Sequence, residues 1–322
     1  MSHPHPDILS LIGNTPMVAL RTIGAGTGCR LLVKLESRNP TGSMKDRMAL
    51  AMIEAAESDG RLRPGGSVVE YTGGSTGVSL SLVCAVRGYP LHIVTSDAFS
   101  AEKLDHMELL GAELRVVRSD EGKMTERLTR EMIDAAAALT EEHDAFWTDQ
   151  LNNPDPIGAY RAMGDEIRAQ ADGEVDAFVQ CVGTAGSIRG VGERLREFGD
   201  GVEIVAVEPA ESAVLSGGPT GAHKIDGVGA GFVVPLWDDD LADRIEPVST
   251  DEAVAMAARL AREEGLFAGT STGANLVAAL RVAEGLEPGS TIVLPMCDTG
   301  MKYLSNPSYQ ARSSWREPGA DA

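Results

Sequence analysis

The sequence predicts an α/β protein of two lobes, with mainly parallel twisted sheets flanked by helices. From residue 43 onward, short β-rich runs alternate with helical patterns, the order expected of parallel strands joined by crossover helices. The 322 residues are enough for an extensive core shared by two lobes, with no sign of a third. The 36 glycines, set against 4% aromatic residues, suit a fold in which backbone approaches a ligand closely.

Residues 1–8 are polar, and His3 and His5 alternate with Pro4 and Pro6 as a loose end rather than a metal site. The run Ile12-Gly13-Asn14-Thr15-Pro16-Met17-Val18 reads as a turn feeding a strand, and 31–35 as a second strand. Further strands are expected at 67–70, 91–95, 113–117, 177–182, 203–207 and 291–294. Helices are expected at 44–58, 76–87, 101–111, 123–141, 157–170, 187–198, 251–264 and 273–284. Ser249 with Glu252 forms a capping box for the helix at 251, which Gly265 stops. The tail from Ala311 to Ala322 has the composition of a disordered end.

A net charge of −20 argues against nucleic acid or an anionic membrane surface as the main partner. Cys29, Cys84, Cys181 and Cys297 are scattered singly, with neither a disulfide framework nor a zinc spacing, so they read as reduced thiols. The N-terminus carries no basic-then-apolar signal segment, and apolar stretches are broken by Gly, Ser and Thr. A cytoplasmic protein is the expectation.

The stretch Asn39-Pro40-Thr41-Gly42-Ser43-Met44-Lys45-Asp46-Arg47 stands out. Pro40 and Gly42 forbid regular structure up to Ser43, an N-cap candidate, which puts Lys45 in the first turn of a helix. Unpaired amides and the positive dipole end disfavour an ammonium there and push the amine toward its neutral, nucleophilic form. Such an amine can form a Schiff base with an aldehyde cofactor. An arbitrary lysine in such a pattern is usually just a solvated helix face.

Two glycine-rich loops follow strands and open helices. In Thr72-Gly73-Gly74-Ser75-Thr76-Gly77, amides and three hydroxyls make a concave set of donors suited to an anion, although glycine-rich turns of purely structural kind are as common. In Gly183-Thr184-Ala185-Gly186-Ser187, backbone amides and the Thr184 and Ser187 hydroxyls could cradle a phosphate on a helix dipole. A dinucleotide site is the competing view, weakened by the absence of a convincing acidic ribose partner beyond Glu203.

Together these segments resemble the cysteine synthase and cystathionine β-synthase family of pyridoxal-phosphate enzymes over about residues 8 to 310. The resemblance implies fold type II. It assigns 1–38 plus 149–312 to a large cofactor-binding domain, 39–148 to a smaller mobile domain, and 313–322 to a flexible tail. It implies that Lys45 holds pyridoxal phosphate, that residues 183–187 clamp the phosphate, and that Ser271, in Phe267-Ala268-Gly269-Thr270-Ser271-Thr272-Gly273-Ala274-Asn275, meets the pyridine nitrogen. A helix N-cap is an equal reading of Ser271. A neutral hydroxyl there leaves the ring a weaker electron sink, which suits β-elimination over transamination.

The resemblance further implies that Thr72, Gly73, Ser75 and Thr76, with Gln150, bind the substrate carboxylate. Gly227 belongs to a glycine-rich wall, His223-Lys224-Ile225-Asp226-Gly227-Val228-Gly229-Ala230-Gly231-Phe232. The family's usual Thr-Ser-Gly-Asn-Thr-Gly has an Asn that contacts the cofactor's phenolic oxygen. This chain has Gly73 for the Ser and Ser75 for the Asn, a donor of shorter reach. Cys297-Asp298-Thr299-Gly300-Met301-Lys302-Tyr303-Leu304-Ser305 resembles the C-terminal signature and reads as packing and dimer support.

The implied activity is β-replacement on O-acetylserine with sulfide, giving cysteine and acetate. Alternatives are condensation of serine with homocysteine, a cysteine desulfhydrase-type elimination, or a catalytically silent binding protein of the same fold. The resemblance also implies a homodimer and docking of a serine acetyltransferase tail.

Overall fold

The computed structural model describes residues 4–120, 126–199 and 201–306. Two sheets organise the described residues. The first runs β1 (Met17–Ala19), β2 (Arg30–Lys34), β10 (Thr291–Pro295), β7 (Ala177–Cys181), β8 (Glu203–Pro209), β9 (Arg244–Val248) across its width. Every pairing in it is parallel except that of β1 with β2. The second sheet, wholly parallel, has the order β5 (Glu113–Val117), β4 (Leu91–Ser96), β3 (Val68–Tyr71), β6 (Phe146–Trp147). Central strands are buried on both faces, so β3, β4, β7 and β10 read as continuous rather than alternating apolar runs.

Among the described residues, eight α-helices lie between and over these strands: α1 (Lys45–Asp59), α2 (Ser75–Arg87), α3 (Ala101–Leu109), α4 (Glu126–His143), α5 (Pro156–Gln170), α6 (Gly186–Phe198), α7 (Thr250–Glu264) and α8 (Thr270–Ala283). On α4, Leu128, Met132, Ala136 and Leu139 fall on one helical face and pack with Val69, Tyr71 and Val94 of the second sheet. The capping box of α7 is formed, Ser249 accepting from the Glu252 amide and Glu252 from that of Ser249, and Gly265 ends the helix in the left-handed region.

Nearly all the expected elements are present within one to three residues. Two strands are additional. β9 carries Pro247 and lies at a sheet edge, where a missing N–H is tolerated but the strand pattern is weak. β6 has two residues, too few for periodicity. The start expected for the helix at 123 and the tail beyond 306 fall outside the described residues. The four cysteines form no disulfide, and Cys84, Cys181 and Cys297 are buried.

Candidate active site

The carboxyl ends of β3, β7 and β10 each run into a segment singled out above, which is where ligands bind in open parallel sheets. The segment after β10 connects them. Residues 42–44 pair with it directly: Met44 N donates to Cys297 O at 2.9 Å, Thr299 N to Gly42 O at 2.9 Å, and Ser43 bridges Asp298. The first turn of α1 is fixed from two further sides. Asp46 accepts from Thr41 N at 2.8 Å and from Ser79 Oγ of α2 at 2.6 Å, while the Tyr160 hydroxyl of α5 donates to Met44 O at 3.2 Å.

Lys45 is therefore the first residue of α1, held rigidly, with Ser43 Oγ accepting from its backbone amide at 3.2 Å. Its side chain keeps some surface exposure, yet burial is the largest influence on the amine and lowers its pKa. Cys297 and Asp298 pull the other way, and Lys103 reinforces the lowering. The expected direction thus holds, with desolvation as its leading cause.

The loop between β3 and α2 presents unpartnered donors. The amides of Gly73, Ser75 and Thr76 make no hydrogen bond among the described residues, whereas Gly74 N is taken by Thr72 Oγ1 at 3.1 Å. Thr76 Oγ1 donates to Gln150 Oε1 at 2.8 Å, so two residues expected at the substrate carboxylate touch each other. Gln150 is anchored in turn, its amide donating to Glu70 Oε2 at 3.1 Å. Ser75 Oγ donates to Asp298 Oδ2 at 3.1 Å. The Phe99 ring lies where a side chain at residue 73 would be, so glycine is required there while the ring stays in place.

The loop between β7 and α6 is a second donor set. The amides of Gly183, Thr184, Ala185 and Ser187 have no partner among the described residues, and Ala185 holds φ 68 to turn them toward the helix start. A Cβ on Gly183 would come within 2.7 Å of Gly227 O, which fixes the glycine and places the 223–232 wall against this loop. Ser187 is bonded to Gln180. Ser271, at the start of α8, lies in hydrogen-bond reach of the Cys297 thiol, and its carbonyl accepts from the Cys181 thiol at 3.5 Å. No hydrogen bond among the described residues joins the 72–76 loop directly to the 183–187 loop.

Three charged residues given no part in the site from the sequence also stand here. Asp298, read as packing, bonds Ser75 and the Tyr303 hydroxyl. Lys302 Nζ is 3.3 Å from Ser75 Oγ, and Lys103 Nζ is 3.8 Å from Asp226 Oδ1 and 4.3 Å from the Tyr303 ring centre. The spacing of Asp298 and Lys302, four apart after a buried strand, was the available signal.

These donors fit pyridoxal phosphate. A helix N-terminus with four unmet amides and two hydroxyls suits a phosphate, and a desolvated amine suits an aldehyde. The sequence profile of the pyridoxal-phosphate dependent enzymes matches residues 8–298. A cysteine synthase of Staphylococcus aureus is 41% identical over 308 residues, 95% of this chain and 97% of that protein. The crystal structure of O-acetyl serine sulfhydrylase isoform 3 from Entamoeba histolytica superposes with a TM-score of 0.90 at 38% identity, covering 97% of this chain and 93% of that one. That of an O-ureido-L-serine synthase gives 0.91 at 34% identity, covering 97% of each chain. With the profile spanning both sheets and the loops that carry the donors, the chain belongs to the pyridoxal-phosphate dependent enzyme family.

Proposed function

We propose that this protein is a cysteine synthase, replacing the acetate of O-acetylserine with sulfide to give cysteine. The observation that carries the reading is Lys45: a desolvated amine on a braced helix start that is paired with the segment after β10. The 41% identical cysteine synthase supports the choice of reaction.

Bound pyridoxal phosphate supplies an electron sink for negative charge developing at the substrate Cα. Residues 183–187 would hold its phosphate, Ser271 its ring nitrogen and, before substrate binds, Lys45 its aldehyde carbon. The amides of Gly73, Ser75 and Thr76, with the Thr72 and Thr76 hydroxyls and Gln150, bind the substrate carboxylate and fix the Cα–H toward Lys45. Lys45 Nζ takes the Cα proton, a role that a lowered pKa favours. Gly227, whose carbonyl lies against Gly183, lines the cleft without side-chain bulk.

The division into a 39–148 lobe and a lobe of 1–38 with 149–312 is part of the same reading. Closing them would exclude water, and the hydrogen bond from Ser75 to Asp298 is one contact across that division. A cytoplasmic homodimer able to dock a serine acetyltransferase tail belongs to it too. Light scattering of the pure protein, alone and with such a tail peptide, tests both associations.

Lys45→Ala is expected to lower turnover by about a thousandfold or more and to abolish the yellow absorbance of cofactor-loaded protein. Full activity in that variant would end the assignment. A second reading, condensation with homocysteine, is favoured by the Lys103 and Asp226 pair, which could meet the carboxylate and ammonium of an amino-acid nucleophile. Parallel assays of O-acetylserine and serine, each with sulfide and homocysteine, separate the two.

A further inference from the structure

Lys302 follows β10 on the turn Gly300–Tyr303 and is 6% exposed. Its amine rests on Ser75 Oγ at 3.3 Å, and that hydroxyl donates onward to Asp298 Oδ2 at 3.1 Å. Tyr303 donates to the same carboxylate oxygen at 2.5 Å. Asp298 Oδ1 is buried with no partner among the described residues. The Ser75 proton is thus committed to Asp298, away from any ligand.

An ammonium has three N–H groups, and among the described residues Lys302 Nζ has one hydrogen-bond partner, Ser75. A buried cation with unmet donors is costly unless an acceptor arrives. Lys45 is close enough to act electrostatically on Lys302, so the acceptor is sought in the ligand that Lys45 holds. Its best match is an oxygen able to carry negative charge.

We propose that Lys302, seated on Ser75, is the donor that this chain offers to the phenolic oxygen of pyridoxal phosphate. The pair Ser75 and Lys302 would then do together what the usual asparagine at position 75 does alone. The proposal rests on the reading of the protein as a pyridoxal-phosphate enzyme and adds a residue and a charge to it. The substituted loop is thereby explained: a short hydroxyl is enough when its task is to seat a lysine.

The surroundings bear on when that lysine is charged. Burial is the largest influence and pushes Lys302 down to about 8. Asp298 on its own segment and Asp46 on α1 favour the charge, while Lys103 on α3 and Lys45 on α1 oppose it. His106 of α3 also faces it and is itself lowered, first by burial and then by Lys302. A cationic donor stabilises the ionised ring oxygen, so the cofactor's visible absorbance should follow the charge of Lys302.

The test is the visible spectrum of cofactor-loaded protein between pH 6 and 10, with bound cofactor measured after gel filtration. The wild type is expected to show a spectral transition above pH 8, because the ionised ring oxygen favours the charged amine, and Lys302→Met to lose it. Adding Ser75→Asn to Lys302→Met should restore the wild-type neutral-pH spectrum without the transition. Lys302→Arg, which keeps the charge throughout, should hold the neutral-pH spectrum up to pH 10 and serves if the methionine variant fails to fold. A Lys302→Met or Lys302→Arg protein that titrates as the wild type does overturns the proposal. Wild-type protein that takes up no pyridoxal phosphate overturns the cofactor reading instead, so the two failures are distinguishable.

Discussion

Glu70 sits at the carboxyl side of β3 with no exposure to water. It accepts from Tyr71 N at 2.9 Å, Thr148 Oγ1 at 2.6 Å and Gln150 N at 3.1 Å. Burial outweighs these donors and raises its pKa to about 7. The unfolded chain releases this proton near 4.5, so between the two values the folded state binds more protons and stability falls as pH rises. The span corresponds to at most about 3 kcal/mol. Glu70→Gln should therefore gain stability relative to the wild type as pH goes from 4.5 to 7.5, measured by urea unfolding. Parallel stability curves for the two proteins would refute a titrating Glu70. Gln150 could be picked out from the sequence by its neighbours Asn153 and Pro154, whereas Glu70, which fixes it, could not. A strand buried on both faces gives no alternation to betray an inward carboxyl.

At the scale of elements, the loop after β3 is matched to its neighbour after β4. Phe99 occupies the space that a side chain at residue 73 would need, so Gly73→Ser must displace the ring or the loop. The expected result is a rise in KM for the amino-acid substrate of about tenfold, the equivalent of one badly placed hydrogen bond. Phe99→Ala added to Gly73→Ser should recover most of it, because the two changes share one space. Additive losses would show that the ring does not dictate the glycine. Such pairing explains what the sequence could and could not reveal. The turns after β3 and β7 announce themselves locally through their glycines and hydroxyls. Phe99 and Lys302 meet the first of these turns only after about 25 and 230 residues of intervening chain, and no local pattern encodes that. β9 escaped for a different reason, since an edge strand with Pro247 lacks the apolar continuity that marked β7 and β10.

Across the whole molecule, a strongly acidic chain encloses a site with three lysines. The net charge is −20, yet Lys45, Lys103 and Lys302 stand within electrostatic reach of one another in the cleft. The numerous arginine–carboxylate pairs on the surface, such as Arg127 with Glu131 and Arg259 with Glu263, are half exposed and contribute little individually. Their excess carboxylates nevertheless set the long-range field, which reaches about 10 Å at 0.1 M salt and about 30 Å at 0.01 M. An anion approaching from solvent meets repulsion before it meets the lysines, while a zwitterion of no net charge meets almost none. Hydrosulfide is an anion at pH 8 and O-acetylserine carries no net charge as its zwitterion. Raising salt from 10 to 150 mM should therefore lower KM for sulfide several-fold and leave that for O-acetylserine nearly unchanged. A KM for sulfide that rises with salt would mean that the lysines in the cleft, rather than the acidic exterior, govern the approach of the nucleophile.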